Sequence, residues 1–426
     1  MELLVLLVTL AVLLLIGVPV AFALLGSTLV TFFMLDLPAI AVFQRMAGGL
    51  STFSLLAIPF FIFAGELMHR SGIAERLVRV AEASLGRSRG GLGQVAVGAS
   101  VMFGAVSGSA IASVSAMGST LMPLMRERGY DADYAVNVTS TSAICGLLIP
   151  PSHNMIIYAA AAGIGVSIGE LFVAGIVPGL LTGAALMVVA WLVGVKRGYP
   201  RGVFPGWPAF LRAFALALPG LMTAIIIVGG VLGGFFTATE SSAVAVIYTI
   251  LVAALVYRTL GPNMLMGAAI QAVKTTAMVL LIIGSASAFG WILALLEAPT
   301  QLAELITTVT DNPIIILLII NVILLVLGTF MDMSPLIVIT TPIFLPIVTA
   351  LGMDPVQFGI VMMLNLGIGL VTPPVGSVLF VGAAIGKIRV EDTVKTIWPF
   401  YGALFVALML VTYFPALSMG LVDMMR

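Results

Sequence analysis

Long apolar runs recur throughout this sequence, and they restrict the possible folds more than any other feature. Hydrophobic residues make up 61% of the 426 residues and charged residues only 8%, whereas a soluble domain is about one quarter charged. A helix needs roughly 20 apolar residues to cross a bilayer, so this length allows on the order of ten crossings with short loops. We therefore predict an all-α polytopic membrane protein with about 10–11 transmembrane helices and no separate soluble domain.

The polar residues argue against several classes of protein. The net charge is zero, which gives no indication of nucleic-acid binding. A single cysteine, Cys145, excludes an intramolecular disulfide, and two histidines are too few for most haem or zinc sites. No HExxH, GxxxxGKS or GxxxxGKT motif occurs, so neither a zinc protease nor an ATP-driven motor is indicated. The first apolar stretch lacks a basic region and a cleavage site, and we predict a retained span rather than a signal peptide.

Two segments match without gaps at an offset of 223 residues, Pro123 to Gly163 and Pro346 to Gly386. Chance similarity between apolar helices would match leucines and valines, whereas these identities fall on residues that control the backbone. The matching positions are Pro123/Pro346, Gly129/Gly352, Asp131/Asp354, Gly146/Gly369 and the double prolines Pro150-Pro151/Pro373-Pro374. We therefore predict an internal repeat, with residues 1–200 as the first half and residues 201–426 as the second.

The charges that flank the repeats have opposite signs in the two halves. Residues 70–89 carry five arginines, whereas the corresponding residues 293–312 carry acids and no lysine or arginine. The loop at 163–170 has no basic residue, whereas its counterpart contains Lys387 and Arg389. Cytoplasmic loops collect lysine and arginine, so this pattern predicts that the two halves are inverted in the membrane. Many secondary transporters have such inverted repeats, with the substrate site near the midplane.

Each half also contains an apolar segment that must enter and leave the membrane on one side. The segment at 92–126 splits at Ser107-Gly108-Ser109 into arms of about 15 residues, which are too short to span. We predict a re-entrant hairpin there and a second one at 314–349, with its tip near residues 328–332. A helix interrupted by two prolines follows each hairpin, at 132–162 and 355–385. The proline breaks free backbone carbonyls, and transporters commonly hold sodium with such carbonyls.

Several longer motifs resemble one transporter family. They are GVPVAFALLG, LLAIPFFIFAGELMHRSGIAERLV, SGSAIASVSAMGSTLMPLMRERGYD, LLIPPSHNMIIY, LFVAGIVPGLL, MDMSPLIVITTPIFLPIVTALGMDP and TPPVGSVLFVGAAIG. In these motifs the sequence resembles the large membrane subunit of TRAP (tripartite ATP-independent periplasmic) transporters.

The resemblance implies a multi-pass protein of the bacterial inner membrane, in contact with lipid, with a scaffold domain and a transport domain that moves as an elevator. It implies sodium as the coupling ion, no organic cofactor, and an organic-acid substrate of the sialic-acid or C4-dicarboxylate type. It also implies two protein partners, a small four-helix membrane subunit and a soluble periplasmic substrate-binding protein.

Two sodium sites and a substrate site are predicted from the resemblance, the helix breaks and the repeat. The first sodium site comprises Ser107 and Ser109 with carbonyls of Gly146, Ile149 and Pro151. Adding the offset gives the second sodium site, which comprises Phe330, Asp332, Gly369, Thr372 and Pro374. Asp332 is the most isolated acid in its apolar segment, and a charge at such depth is by default a functional candidate. The predicted substrate-binding residues are Thr141, Ser142, Asn154 and Asn365.

The sequence departs from the family pattern at two places. Ser113 stands where relatives often carry an acid, which puts a carboxylate contribution from the first hairpin in doubt. Ser152-His153-Asn154 follows the first proline pair where many relatives are apolar, and this variant is associated with sialic-acid and sugar-acid members.

Two alternative functions are also compatible with the sequence. One is a stand-alone sodium-dependent dicarboxylate carrier, which co-purification of a small membrane subunit would exclude. The other is an ion-translocating subunit of a redox complex, which usually places Lys and Glu along the middle of the membrane. Such charges are nearly absent here.

Overall fold

The computed structural model describes residues 1–163 and 165–425, except for the side chains of residues 303, 305–307 and 309. Throughout this part of the chain the regular secondary structure is helical, apart from one isolated bridge between Arg89 and Arg201. The prediction of an all-α fold is therefore confirmed.

The first half begins with helices α1 (Glu2–Leu15), α2 (Val20–Met34), α3 (Ile40–Leu50), α4 (Ala57–Arg70) and α5 (Ile73–Leu85). A short 3-10 turn, Phe53–Leu56, leads into α4. Two helices with a two-residue break follow, α6 (Gly91–Ser107) and α7 (Ala110–Glu127). The half then continues with α8 (Ala132–Ser142), α9 (Cys145–Leu148), α10 (His153–Ala162) and α11 (Ile168–Lys196).

The second half begins with α12 (Trp207–Leu232), α13 (Ala238–Leu251), α14 (Pro262–Leu295) and α15 (Ala298–Val309). A π-helical turn, Val252–Val256, extends α13. The next pair, α16 (Pro313–Phe330) and α17 (Met333–Ala350), again has a two-residue break. The remaining helices are α18 (Pro355–Gly369), α19 (Ser377–Gly386), α20 (Val390–Val394), α21 (Trp398–Tyr413) and α22 (Ala416–Asp423).

Length and composition identify the helices that can cross a membrane. Among the described residues, seven helices qualify, and the number rises to nine if each of two bent helix pairs counts as one span. Helices α16 and α17 are two of the seven, so each arm of the hairpin predicted at 314–349 is long enough to cross by itself. One bent pair is α8–α9 with α10, at 49°, and the other is α21 with α22, at 50°. Five further apolar helices have 10–17 residues, so the crossing number depends on how these shorter helices are placed in lipid.

Helix bounds in the two halves correspond closely. The pairs α6–α7 and α16–α17 lie 222 to 223 residues apart. The helices after the double prolines, α10 and α19, lie 224 residues apart. Both Pro-Pro bonds, Pro150-Pro151 and Pro373-Pro374, are cis. The halves differ in one helix. Helix α18 runs unbroken to Gly369, whereas the corresponding stretch of the first half is divided into α8 and α9.

Helix contacts are densest within two sets of helices, although the sets also touch directly, most extensively through α14 and α17. The first set comprises α1–α4 and α12–α14, in which the 34-residue α14 contacts α2, α3 and α4. The second set comprises α6–α11 and α16–α22, in which α11 contacts α6, α9, α18 and α21. Helix α5 contacts both α12 and α6, and α15 contacts both α14 and α17, so each connects the two sets. Both hairpins and both broken helices therefore lie in the second set.

Candidate functional site

The first hairpin tip lies directly against the first proline break. Gly108 has a φ of 61°, which lets the chain turn between α6 and α7. A Cβ atom on Gly108 would lie 2.5 Å from the Pro151 carbonyl oxygen and 3.1 Å from the Ser152 Cα atom. One turn earlier, Gly104 packs against the backbone of Gly146 so closely that it leaves no room for a side chain. The structure thus brings the predicted tip and the predicted break together.

The second tip repeats this arrangement. A Cβ atom on Gly369 would lie 2.5 Å from the carbonyl carbon of Gly328, so α16 and α18 meet backbone to backbone. The N–H of Val375, just after the second proline pair, donates to the Thr329 carbonyl oxygen at 3.1 Å. Each hairpin tip is therefore fixed to a broken helix by direct backbone contact rather than by long side chains.

Hydroxyl oxygens with free lone pairs lie at both contacts, two at the first and one at the second. Ser109 caps α7, because its Oγ accepts from the Ala112 N–H at 3.3 Å, and Ser107 Oγ accepts from the Ser109 N–H at 3.5 Å. Thr372 Oγ1 donates to the Ile368 carbonyl at 2.7 Å. A serine or threonine hydroxyl has two lone pairs, so each of these three oxygens retains acceptor capacity.

Three other predicted ligands are placed as follows. Asp332 stands at the N-cap of α17 without a side-chain capping hydrogen bond, and it is exposed. The side chain of Phe330 is 58% exposed, so this residue offers only its backbone to the second tip. Ile149 has extended backbone at the end of α9, and its side chain packs against Gly179 of α11.

Buried hydroxyls without a partner lie near the tips and breaks. Among the described residues, the Oγ atoms of Ser113, Ser140, Ser152 and Ser377 are buried and have no hydrogen-bond partner. Ser152 and Ser377 each lie at or beside the start of the helix that follows a proline pair. Unpaired buried hydroxyls also occur away from the tips, at Thr223, Thr249 and Thr276, so this feature alone does not mark an ion site. Sequence reasoning did not include Ser140, Ser152 or Ser377 among the site residues.

Three of the four predicted substrate residues make hydrogen bonds inside the helix packing. Thr141 Oγ1 donates to the Asn137 carbonyl at 2.7 Å, and Ser142 Oγ donates to Ser100 Oγ at 2.9 Å. Asn365 Nδ2 donates to the backbone and side-chain oxygens of Asn321, at 2.9 and 2.8 Å. All three side chains are fully buried. Ser142 and Asn365 thus connect each broken helix to the first arm of its hairpin.

The fourth predicted substrate residue connects the two halves. Asn154, on α10, accepts through Oδ1 from the Ser334 hydroxyl at 3.1 Å, and Ser334 lies in the first turn of α17. Ser334 follows Asp332 by two residues, so this pair lies close to the predicted second sodium site. Ser334 was not predicted as a site residue, although its place in the polar motif MDMS beside Asp332 was a usable signal.

An ionic cluster fixes the beginning of the first broken helix. Arg197, which follows α11, pairs with Asp131 at 3.0 Å and with Asp133 at 2.9 Å. Tyr199 donates to the same Asp131 carboxylate at 2.7 Å. The hydrogen bonds with Asp133 raise the pKa of the Arg197 guanidinium, so it stays charged at any physiological pH. This cluster is a structural contact at the end of the helix, away from both tips.

An all-helical membrane chain with paired hairpin tips, each against a broken helix, has the architecture of a secondary transporter. A solved structure supports this assignment at the level of the fold. The YdaH transporter of Alcanivorax borkumensis superposes with a TM-score of 0.61 at 15% identity, over 87% of each chain.

Sequence comparison then gives the family. Residues 7–417 match the model of the DctM component of the tripartite ATP-independent periplasmic transporters, and the chain belongs to this family. It is accordingly a multi-pass protein of the bacterial inner membrane.

Two relatives show the range of substrates for which members are named. The sialic acid TRAP transporter large permease protein SiaM of Vibrio cholerae is 38% identical, over 96% of this chain and 95% of that protein. The isethionate TRAP transporter permease protein DctMQ of Oleidesulfovibrio alaskensis is 39% identical, over 96% of this chain but only 64% of that longer protein.

Proposed function

We propose that this protein is the substrate-translocating permease of a sodium-driven uptake system for a small organic-acid anion. The observation that carries the proposal is the pair of hairpin tips, each held against a broken helix and each with at least one hydroxyl oxygen that has a free lone pair. A periplasmic binding protein would deliver the substrate, and a small membrane subunit would complete the transporter. Membership of the family supports both partners.

The two tips are the proposed sodium sites. Ser107 and Ser109 would bind the first ion together with carbonyls of Gly146, Ile149 and Pro151. Phe330, Gly369 and Pro374 would contribute backbone carbonyls to the second ion, with side-chain oxygens from Asp332 and Thr372. Discontinuous helices that face a cavity commonly hold sodium in this way. An exposed Asp332 carboxylate with no capping hydrogen bond is consistent with a role as an ion ligand.

The substrate site is proposed at the Asn154–Ser334 pair. Its position two residues from Asp332 would place the organic anion beside a bound cation, which would offset part of the negative charge. Relatives are named for sialic acid and for isethionate, which are both acids. Ser142, Thr141 and Asn365 would then support the site by fixing the helices rather than by touching the substrate.

We assign a different role in transport to each of the two sets of helices. The set with both hairpins would move as the transport domain, and the set built around α14 would remain fixed as the scaffold. Contacts of α5 and α15 with both sets support this division, because a connecting element is needed wherever one body moves against another.

The test is uptake into proteoliposomes that contain this protein with its small membrane subunit, in the presence of the periplasmic binding protein. We expect accumulation of sialic acid, isethionate or a C4-dicarboxylate only under an inward sodium gradient, and with cooperative dependence on sodium. Uptake at an unchanged rate without any sodium gradient would contradict the proposal. Uptake without the small subunit and the binding protein would instead indicate a stand-alone carrier.

A further inference from the structure

A cavity of about 410 Å³ lies between the two sets of helices, apart from the hairpin tips. Helices α3 and α14 form one wall, and α10 and α17 form the other. Its volume falls in the usual range of about 300–1,000 Å³ for small-molecule sites. The described lining residues are Gln44, Arg45, Gly48, Gly49, Ala160, Ala161, Ala286, Ser287, Gly290, Trp291, Val338 and Pro342.

One positive charge faces this cavity, and no acidic side chain is among the described residues that line it. The Arg45 guanidinium lies over the Trp291 ring, 4.5 Å from its centroid. Stacking on an aromatic face fixes the guanidinium plane and leaves its edge free to donate. Arg45 makes no hydrogen bond or ion pair with any other described residue. Its N–H donors are therefore available to a ligand.

The remaining wall provides space and a few polar atoms. Gly48, Gly290, Ala160 and Ala161 have little or no side chain, which leaves space in the cavity, whereas Gly49 packs directly against the Ser287 side chain. Gln44 adds an amide, and the Ser287 hydroxyl, which donates to the Ile283 carbonyl at 2.8 Å, adds an acceptor. A small molecule with an acid group and further polar groups would find both a charge-assisted contact and hydrogen bonds here.

The cavity and the Asn154–Ser334 pair lie along the same two helices, α10 and α17. Ala161 follows Asn154 by seven residues on α10, which is about two turns or roughly 10 Å along the same face. On α17, Ser334, Val338 and Pro342 are spaced by four residues and also share one face. The cavity thus lies about 6–12 Å along α17 from the proposed substrate site.

We infer that this cavity is an entry site that receives the acid group of the transported anion on Arg45. The inference rests on the proposed function and adds a residue to it. The planar guanidinium fork binds carboxylates with two parallel hydrogen bonds and suits other oxyanions as well. Sialic acid is a carboxylic acid and isethionate is a sulfonic acid, so the same contact serves both kinds of acid for which relatives are named.

The preference of the cavity for anions can be tested without measuring transport, by comparing how fast an anionic and a cationic reagent label a cysteine placed in it. Ala161→Cys is placed in the cavity, and Cys145→Ala removes the natural cysteine. Labelling rates are measured with an anionic and a cationic methanethiosulfonate reagent, in nanodiscs of neutral lipid. Arg45→Gln is expected to lower the ratio of anionic to cationic labelling roughly tenfold, as the loss of one nearby charge predicts. Arg212→Gln, which removes an exposed arginine outside the cavity, is the matched control and leaves the ratio unchanged.

Uptake measurements then separate an entry site from a charged surface. Arg45→Gln should raise the KM for the anion at least tenfold, with the sodium concentration for half-maximal uptake unchanged, and Arg45→Lys should restore part of the loss. An unchanged labelling ratio would overturn the inference, and so would an unchanged KM.

The source of the bound anion is tested in the same preparation. The alternative outcome is that anionic lipid in the nanodiscs slows the labelling of Ala161→Cys when Arg45 is present but has no effect in the Arg45→Gln variant. That result would assign the cavity to a lipid headgroup and overturn the entry site. If wild-type protein shows no sodium-driven uptake, the proposed function fails, while the labelling ratio still decides whether the cavity selects anions.

Discussion

At the scale of single residues, Asp332 is the one charged side chain proposed to bind sodium. It stands between two helices at the second tip, without a capping hydrogen bond and exposed. Its counterpart in the first half is Ser109, whose hydroxyl caps α7. A carboxylate attracts a cation more strongly than a hydroxyl does, so the second site should bind sodium more tightly than the first.

Asp332→Asn tests this assignment directly. We expect the sodium concentration for half-maximal uptake to rise about tenfold, which corresponds to about 1.4 kcal/mol. Thr372→Val should give a smaller change in the same direction, because it removes one neutral oxygen. Sodium titration of uptake in proteoliposomes is the measurement, and Asp423→Asn, an exposed acid at the end of α22, is the control. Wild-type sodium affinity in both site variants would refute the second site.

The Asn154–Ser334 hydrogen bond belongs to the same scale. Asn154→Ala and Ser334→Ala should each raise the KM for the anion about fivefold, since one neutral hydrogen bond contributes about 1 kcal/mol. Kinetics of uptake at saturating sodium measure the effect. Ser119→Ala on α7, whose hydroxyl bonds only within its own helix, should leave the KM unchanged. A change in maximal rate with an unaltered KM would assign the pair to helix positioning.

At the scale of helices, glycine contacts decide how close each hairpin lies to its broken helix. The pairs Gly104–Gly146 and Gly328–Gly369 place backbone against backbone. Small residues allow helices to approach closely in membranes, where lipid provides no hydrophobic drive for association. Ser100–Ser142 and Asn321–Asn365 add a buried hydrogen bond to each contact. The carbonyl ligands proposed at the breaks would depend on this spacing.

Gly104→Ala is expected to force α6 away from α9, because the new methyl group meets the Gly146 backbone rather than a movable side chain. Overpacking of this kind costs about 1–3 kcal/mol, so the melting temperature of the purified protein should fall. Gly402→Ala on α21 is the matched control, since no atom lies within 4 Å of its Cβ position. Equal melting temperatures for the two variants would show that the close contact is not required.

At the scale of the whole molecule, the charge pattern predicts opposite orientations for the two halves. Arg87→Cys and Asp311→Cys replace exposed residues in corresponding regions. An impermeant thiol reagent applied to intact cells with a permeabilised outer membrane should label Asp311→Cys alone. Arg87→Cys should become reactive only after the inner membrane is opened. Cys145 is fully buried and should contribute no background. Labelling of both variants from the same side would rule out the inverted repeat.

The helices, turns and breaks of this protein could be predicted from its sequence, because the signals for them are local. Apolar run length identified a membrane protein. Glycine and proline placed the tip at Gly108 and the breaks at Pro150-Pro151 and Pro373-Pro374, since these residues act on their own stretch of backbone. The repeat then related the two halves, and the motifs indicated the family to which the chain belongs.

The contacts between polar residues could not be predicted, because they join parts of the chain that are far apart in sequence. Ser142 bonds to a residue 42 positions away, and Ser334 bonds to Asn154 across 180 positions. Hydropathy and spacing carry no information about such partners, because the same side chain can face lipid, a neighbouring helix or a cavity. The position of Arg45 could not be predicted for the same reason, since the cavity beside it is formed by four helices from both halves of the chain.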